Sequence, residues 1–463
     1  MKSIFAVQLM IKRAVNDWVN DWVNEGLRRL ARNAGTLIVG NAMQSALGLV
    51  SLAMTARALG PTGLGKLVIA IAYASIITQL IGFQSWQAVI RYGTGALARG
   101  DARQFMGVVK AGAALDVAAA LVASLVALAG VTFGAYLAGI DEESRAVALL
   151  VSSAIAVNFV GTPTALLRIF DRYRLFVVQA FVTSLLKLML VMVAYLAGGD
   201  LWDFALAWVG SQVFGHLLLA AMGLRELRKR RLAPRDGHTL VETFRRHPDL
   251  ARFFLFTNLN GTARTLRDLD VPILGWILGP SATGSFKIAR QLAGSLNKII
   301  DPFFVAVYPD LARLHSTGRS SAALSLVRRS ALSLGAIGSA LLMAFVVVGE
   351  PLMVLVLGEA FRSAYPVALW CFVGAVIWAF AQPIAPMLMV YGRHSALFAI
   401  NIATTLIYLA AVGVAAVSIG VTGVGAAFAA YMLLWTTLTL HLLARTASQD
   451  PGHLDAVAPA QDA

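Results

Sequence analysis

Residues 264–310 read RTLRDLDVPILGWILGPSATGSFKIARQLAGSLNKIIDPFFVAVYPD. Two apolar segments meet at the short turn LGPSATG, and both carry charge inside an otherwise oily helical pattern. On the second segment Lys287, Arg290, Gly294, Lys298 and Asp301 step by three and four, which sets them on one helical face. A charge at the centre of a bilayer-spanning helix costs roughly 2.5–3.5 kcal/mol or more unless it faces a bundle interior or a wet cavity. This face therefore lines something polar.

The rest of the chain has the composition of a membrane protein. It has 463 residues, 58% of them hydrophobic and only 13% charged, against about 25% charged in an average globular chain. Mean hydropathy is +0.74. Apolar runs long enough to cross a roughly 30 Å hydrocarbon core recur along the whole length. The net charge of +14 sits mostly in short loops between these runs, which speaks for membrane topology and headgroup attraction and against nucleic acid as a partner. The single cysteine, Cys371, lies in an apolar run and excludes an intrachain disulfide. The fold class expected is an all-α polytopic membrane protein with twelve transmembrane helices.

Residues 1–32 do not read as a signal peptide, because Asp17, Asp21 and Glu25 interrupt any apolar core. Ile11, Val15, Trp18, Trp22 and Leu27 recur at helical spacing, so this segment is expected to be an amphipathic interfacial helix. Spans follow at about 33–57, 67–90, 105–134, 145–169, 175–197 and 203–224, and then at 252–278, 282–308, 324–348, 364–390, 395–418 and 422–444. A basic connector, 225–250, separates the two sets, and 446–463 reads as a disordered tail. Loops after the even-numbered spans are rich in arginine, whereas DEES and GGDLWD after spans 3 and 5 are acidic. That alternation predicts both termini in the cytoplasm.

An internal repeat divides the chain. LGPTGLGKLVIA (59–70) matches LGPSATGSFKIA (278–289), and FDRYRLF (170–176) matches YGRHSAL (391–397). Spans 1–6 (33–224) and 7–12 (251–445) are thus expected to form two six-helix lobes. An even span number per copy gives a parallel repeat about an axis along the membrane normal, an arrangement in which substrate binds between the halves.

Polar faces concentrate in the first two spans of each copy. Span 1 carries Asn41, Gln44, Gly48, Ser51 and Thr55, and span 2 carries Ser75, Gln79 and Gly82. These read either as cavity lining or as glue between packed helices. Span 7 carries Asn260, Arg264 and Arg267, with Asp268 and Asp270 beside them. In spans 7 and 8, Arg264, Arg267, Lys287, Arg290 and Lys298 outnumber Asp268, Asp270 and Asp301, even with Arg264–Asp268 and Lys298–Asp301 in reach as local pairs. The surplus points to an anion, a phosphate or diphosphate held by arginine forks. The competing reading is a set of internal ion pairs that fix helix register. Lys110, Asp116, Lys187 and His216 are isolated intramembrane groups that suit ion coupling or internal pairing. Gly420, Gly423 and Gly425 follow a span and read as a hairpin turn. The sequence has no metal-spaced His/Cys cluster, nucleophile elbow or Walker loop, so no enzyme, cofactor or metal site is expected.

ARALGPTGLGKLVIAIAYASII (56–77) resembles the signature after span 1 of bacterial polysaccharide flippases, members of the multidrug/oligosaccharidyl-lipid/polysaccharide exporter superfamily. DVPILGWILGPSATGSFKIARQL (270–292), followed by VYPDLARL (307–314), resembles the span 7–8 signature of the same family. Asp270, Gly279, Pro280, Gly284 and Pro309 fall on its recurrent positions, with Phe286 where tyrosine is common. The resemblance covers about 30–445. It implies two lobes in a V, alternating access, and passage of an undecaprenyl-diphosphate-linked sugar repeat unit across the bacterial inner membrane. It also implies a cationic cavity from spans 1, 2, 7 and 8, with membrane lipids and other polysaccharide assembly proteins as further partners. On that reading Arg264, Arg267, Lys287, Arg290 and Lys298 hold the anionic headgroup. Asn41, Gln44, Ser51, Gln79 and Asn260 contact sugar, and Asp116, Asp268, Asp270 and Asp301 serve ion coupling or internal pairing. The alternatives are a cation-coupled multidrug exporter, for which the cavity has the wrong sign, and a membrane-embedded polymerase or ligase.

Overall fold

The computed structural model describes residues 2–82, 85–138, 142–232, 238–239, 242–243, 245 and 266–449. Of these it describes the side chains apart from those of 2–39, 41–42, 135–138, 297–306 and 308–309. All regular structure among the described residues is helical. The helices are α1 (Lys2–Ile81), α2 (Ser85–Ala98), α3 (Ala102–Ala138), α4 (Glu142–Ala154), α5 (Gly161–Ile169), α6 (Tyr173–Leu196) and α7 (Leu201–Lys229). In the C-terminal half come α8 (Asp270–Ser316), α9 (Ser320–Leu357), α10 (Tyr365–Ala381), α11 (Ile384–Val390), α12 (His394–Ile419) and α13 (Val421–Ser448).

Eight helices among the described residues are long and apolar enough to cross a membrane, or nine if the bent pair Glu142–Val157 and Gly161–Ile169 forms one span. The difference from the expected twelve has identifiable places. Met43–Ala98 counts once although it contains the turn at Gly60, most of expected span 7, 251–265, lies outside the described residues, and α8, which holds expected span 8, is not among the helices that are long and apolar enough. The surface is that of a membrane protein: Phe133, Val347 and Val417 are each more than two-thirds exposed, within broad apolar faces. A water-facing monomer does not carry contiguous apolar surface on that scale.

Two long helical runs are each two helices joined at a glycine. Gly60 (φ 65°, ψ −178°) breaks α1, and Gly279 (φ 79°, ψ −176°) breaks α8. Both sit in the left-handed half of φ space, which glycine enters without a Cβ penalty. They are also the equivalent positions of the LGP repeat, so the internal repeat extends to the backbone. The two turns touch reciprocally. A Cβ on Gly65 would lie 1.7 Å from the Pro280 carbonyl oxygen, and one on Gly284 would lie 2.1 Å from that of Pro61.

Ion pairs tie several of the loops together. Lys66 bonds Glu143 at 2.8 Å, bringing the acidic loop after span 3 to the turn after span 1. Glu226, 1% exposed, gathers Arg172, Lys229 and Arg230 at 3.2, 3.0 and 2.5 Å, joining the loops after spans 4 and 6. The start of the expected connector is therefore still helix, and α13 likewise runs past residue 445 to Ser448. The amphipathic faces of 1–32 and the tail beyond 449 lie outside the described residues. Separate apolar cores lie within each half. A further core joins Leu52, Ala56, Leu64 and Val68 of α1 to Leu274, Ile288 and Leu296 of α8.

Candidate functional site

A cavity of about 350 Å³ lies between the segment of α1 after Gly60, α7 and α8. Its polar wall comprises Ser75, Gln79, Asp268, Lys287, Arg290 and Gln291, with Trp208 across from them. Lys287 stands seven residues beyond Pro280, about 10 Å along the helix from the turn. It makes no ion pair among the described residues.

Arg290, one turn further on, is differently placed. Its Nη1 pairs with Asp270, and its Nη2 bonds Asp268 Oδ1 at 3.2 Å. Asp270 is completely buried and also accepts a 2.8 Å hydrogen bond from the Tyr408 hydroxyl on α12. The guanidinium lies 5.8 Å from the ring centre of Phe428 on α13. Arg290 is thus held in a fork between two carboxylates, and its charge is largely spent internally. Asp268 takes Arg290, a residue of the other arm of the hairpin.

A third cation reaches this wall from the N-terminal half. Lys187 Nζ on α6 lies 3.1 Å from the ring centre of Trp208, whose indole N–H bonds Thr55 Oγ1 at 3.4 Å. Lys187 and Lys287 are close enough to repel one another. Burial of an ammonium on an indole face is a cation–π contact, worth about 2 kcal/mol when desolvated. The sequence marks Lys187 as an isolated charge. Its partner Trp208 depends on the rotation of two helices, which spacing does not fix.

The other expected residues scatter. Arg267 sits on a 3₁₀ turn (Leu266–Leu269) and lines a separate cavity of about 770 Å³ with Trp378, Phe398, Tyr431 and Trp435. Gln44 is exposed, and Ser51 bonds back to the Leu47 carbonyl at 2.8 Å within its own helix. Gln79 lies on the cavity wall. Asp116 accepts a 2.6 Å bond from Thr162 N–H, capping α5 where the bent pair breaks. The side chains of Asn41, Lys298 and Asp301, and all of Asn260 and Arg264, lie outside the described residues. No group of His, Cys, Asp and Glu able to hold a metal occurs among the described residues.

The chain matches the family described as polysaccharide biosynthesis protein over residues 30–315. It is 31% identical to inner membrane protein YghQ of Escherichia coli (strain K12) over 344 residues, which is 73% of this chain and 95% of YghQ. Among solved structures, the lipid II flippase MurJ in an inward closed conformation superposes with a TM-score of 0.66 at 11% identity, over 92% of this chain and 93% of MurJ. An inward-facing multidrug resistance MATE family transporter of the MOP superfamily superposes at 0.64 and 13% identity, over 90% of this chain and 96% of the transporter. At such identities the likeness is one of fold.

Proposed function

The chain belongs to the polysaccharide biosynthesis protein family, and from that premise we propose that it is a flippase for an undecaprenyl-diphosphate-linked oligosaccharide repeat unit. It carries the unit from the cytoplasmic to the periplasmic leaflet of the inner membrane by alternating access, as a transporter and not as an enzyme. On this reading twelve spans form two six-helix lobes, with both termini in the cytoplasm. The turns at Gly60 and Gly279 then lie at the periplasmic end, and their backbone contact closes that end while the cavity faces the cytoplasm.

The observation that carries the reading is Lys287. It lines a cavity walled by both halves of the chain and has no ion-pair partner among the described residues. Lys187, Lys287 and Arg290 are three basic groups gathered against two acidic ones, Asp268 and Asp270. An anionic headgroup entering this water-poor site gains a cation already in place, and Arg290, held by Asp268 and Asp270, keeps its geometry without a ligand. Lys298 extends the same cationic face in the sequence, Arg264 belongs to the face of the preceding span, and Gln79 offers a neutral polar contact on the cavity wall.

Lys287→Gln is expected to abolish polymer export while the protein still reaches the membrane in normal amount. Export at the native level by that variant sinks the anionic-headgroup reading. The multidrug alternative requires an acidic pocket, and efflux of a cationic dye from cells expressing the chain would establish it instead.

A further inference from the structure

A second cavity, of about 190 Å³, adjoins the first and shares Ile71, Ser75 and Gln79 with it. Its polar wall is built of Ser75, Thr78 and Gln79 on α1, Asn158 at the break before α5, and Gln212 and His216 on α7. None of these carries a formal charge with histidine neutral. The first cavity is read by charge. The second is lined by hydroxyls, amides and one imidazole.

The break in the chain explains why this space is polar. Glu142–Val157 and Gly161–Ile169 meet at 43°, and Asn158 between them has φ −86° and ψ 59°, outside helical values. Irregular backbone at membrane depth is tolerated only where protein buries it or where it borders a polar cavity. Here both conditions are used. Asp116 satisfies the Thr162 N–H on one side, and Asn158 faces the cavity on the other.

His216 lines the same wall. A neutral imidazole offers one donor nitrogen and one acceptor nitrogen. An acceptor of that kind, beside amides that both donate and accept, is matched by hydroxyl groups. A volume of 190 Å³ holds about six waters at liquid density, which is the scale of a single sugar ring.

We propose that this cavity is a sugar subsite, taking one neutral sugar ring joined to the phosphate held at Lys287. The proposal rests on the flippase reading, and it adds three residues from outside the repeat signatures: Asn158, Gln212 and His216. Specificity follows from the absence of charge. An uncharged wall accepts a neutral hexose or N-acetylhexosamine and rejects a uronate, whose carboxylate would be buried without a cation.

The test measures binding of four probes to the full chain in lipid nanodiscs: polyprenyl diphosphate alone, and the same lipid carrying glucose, N-acetylglucosamine or glucuronate. The native chain is expected to bind at least one neutral-sugar probe about tenfold more tightly than the bare diphosphate, the worth of one or two net hydrogen bonds. Glucuronate brings no gain. In Gln212→Leu and in Asn158→Ala the gain disappears, while binding of the bare diphosphate stays at the native value and reports that the chain is folded. A gain that survives both substitutions, or no gain from either neutral sugar in the native chain, overturns the subsite and leaves the diphosphate reading standing. Failure of the native chain to bind the bare diphosphate overturns the flippase reading itself, and the subsite with it.

Discussion

Asp270 is fully buried, and its environment separates two cations that the sequence treats alike. Lys287 and Arg290 share a helical face by spacing, and that much is legible in the residues. Which of them is neutralised depends on Asp270 and Asp268, twenty and twenty-two positions from Arg290 on the far arm of a hairpin, and on Tyr408 from α12. Spacing along one helix finds partners only at three and four, so it pairs Asp268 with Arg264, which lies outside the described residues. Arg267 lines a cavity other than that of Lys287, on a 3₁₀ turn. A 3₁₀ turn advances three residues per turn where the α-helix takes 3.6, so α-helical spacing does not carry over to it. The two cations therefore call for opposite outcomes. Arg290→Ala leaves a buried carboxylate without its cation, a loss of about 3–5 kcal/mol. It is expected to lower the thermal unfolding temperature in detergent sharply, with export falling only as the protein is lost. Lys287→Gln breaks no ion pair among the described residues and is expected to leave the thermal unfolding temperature near the native value while removing export, and size-exclusion thermal melts of both variants make the comparison.

At the scale of elements, the LGP turns are the part most fully written in the sequence. The repeat places Gly60 and Gly279 at equivalent positions, and the backbone gives both nearly the same positive φ and extended ψ. What the sequence leaves out is that Gly65 and Gly284 are needed for something else, the approach of each hairpin to the carbonyl of the other's proline. That contact is long-range, and no local pattern signals it. Gly65→Ala puts a methyl group where the Pro280 carbonyl oxygen would stand 1.7 Å away. The hairpins must part to admit it, so this variant is expected to shift the population toward the state open at that end. Labelling reports the shift: Cys371 is buried, which leaves a cysteine introduced beside the turn as the accessible thiol among the described residues. Faster modification of that thiol in Gly65→Ala is the expected result, and an unchanged rate would mean that the turns part by another route.

For the whole molecule, composition and hydropathy are sufficient to establish an all-helical membrane protein, because a surface of Phe133, Val347 and Val417 requires lipid. The broken span at Asn158 is harder to read. Its glycine and proline, Gly161 and Pro163, lie after the bend inside a run otherwise apolar enough to be continuous. The capping carboxylate Asp116 comes from α3, forty-six residues earlier. The reciprocal contact of the LGP turns has one more consequence, which belongs to assembly. Patch i meets patch j and patch j meets patch i, the form of an isologous interface between two copies of one subunit. Such an interface needs a single surface used twice, so a half-length ancestral chain could have made it by pairing with itself. The covalent link then contributes mainly effective concentration. Coexpressed fragments ending at Leu232 and starting at His238 are expected to associate in the membrane and restore export. Recovery of one fragment by affinity purification of the other measures that association directly, and two fragments that never copurify would show the link to be structural.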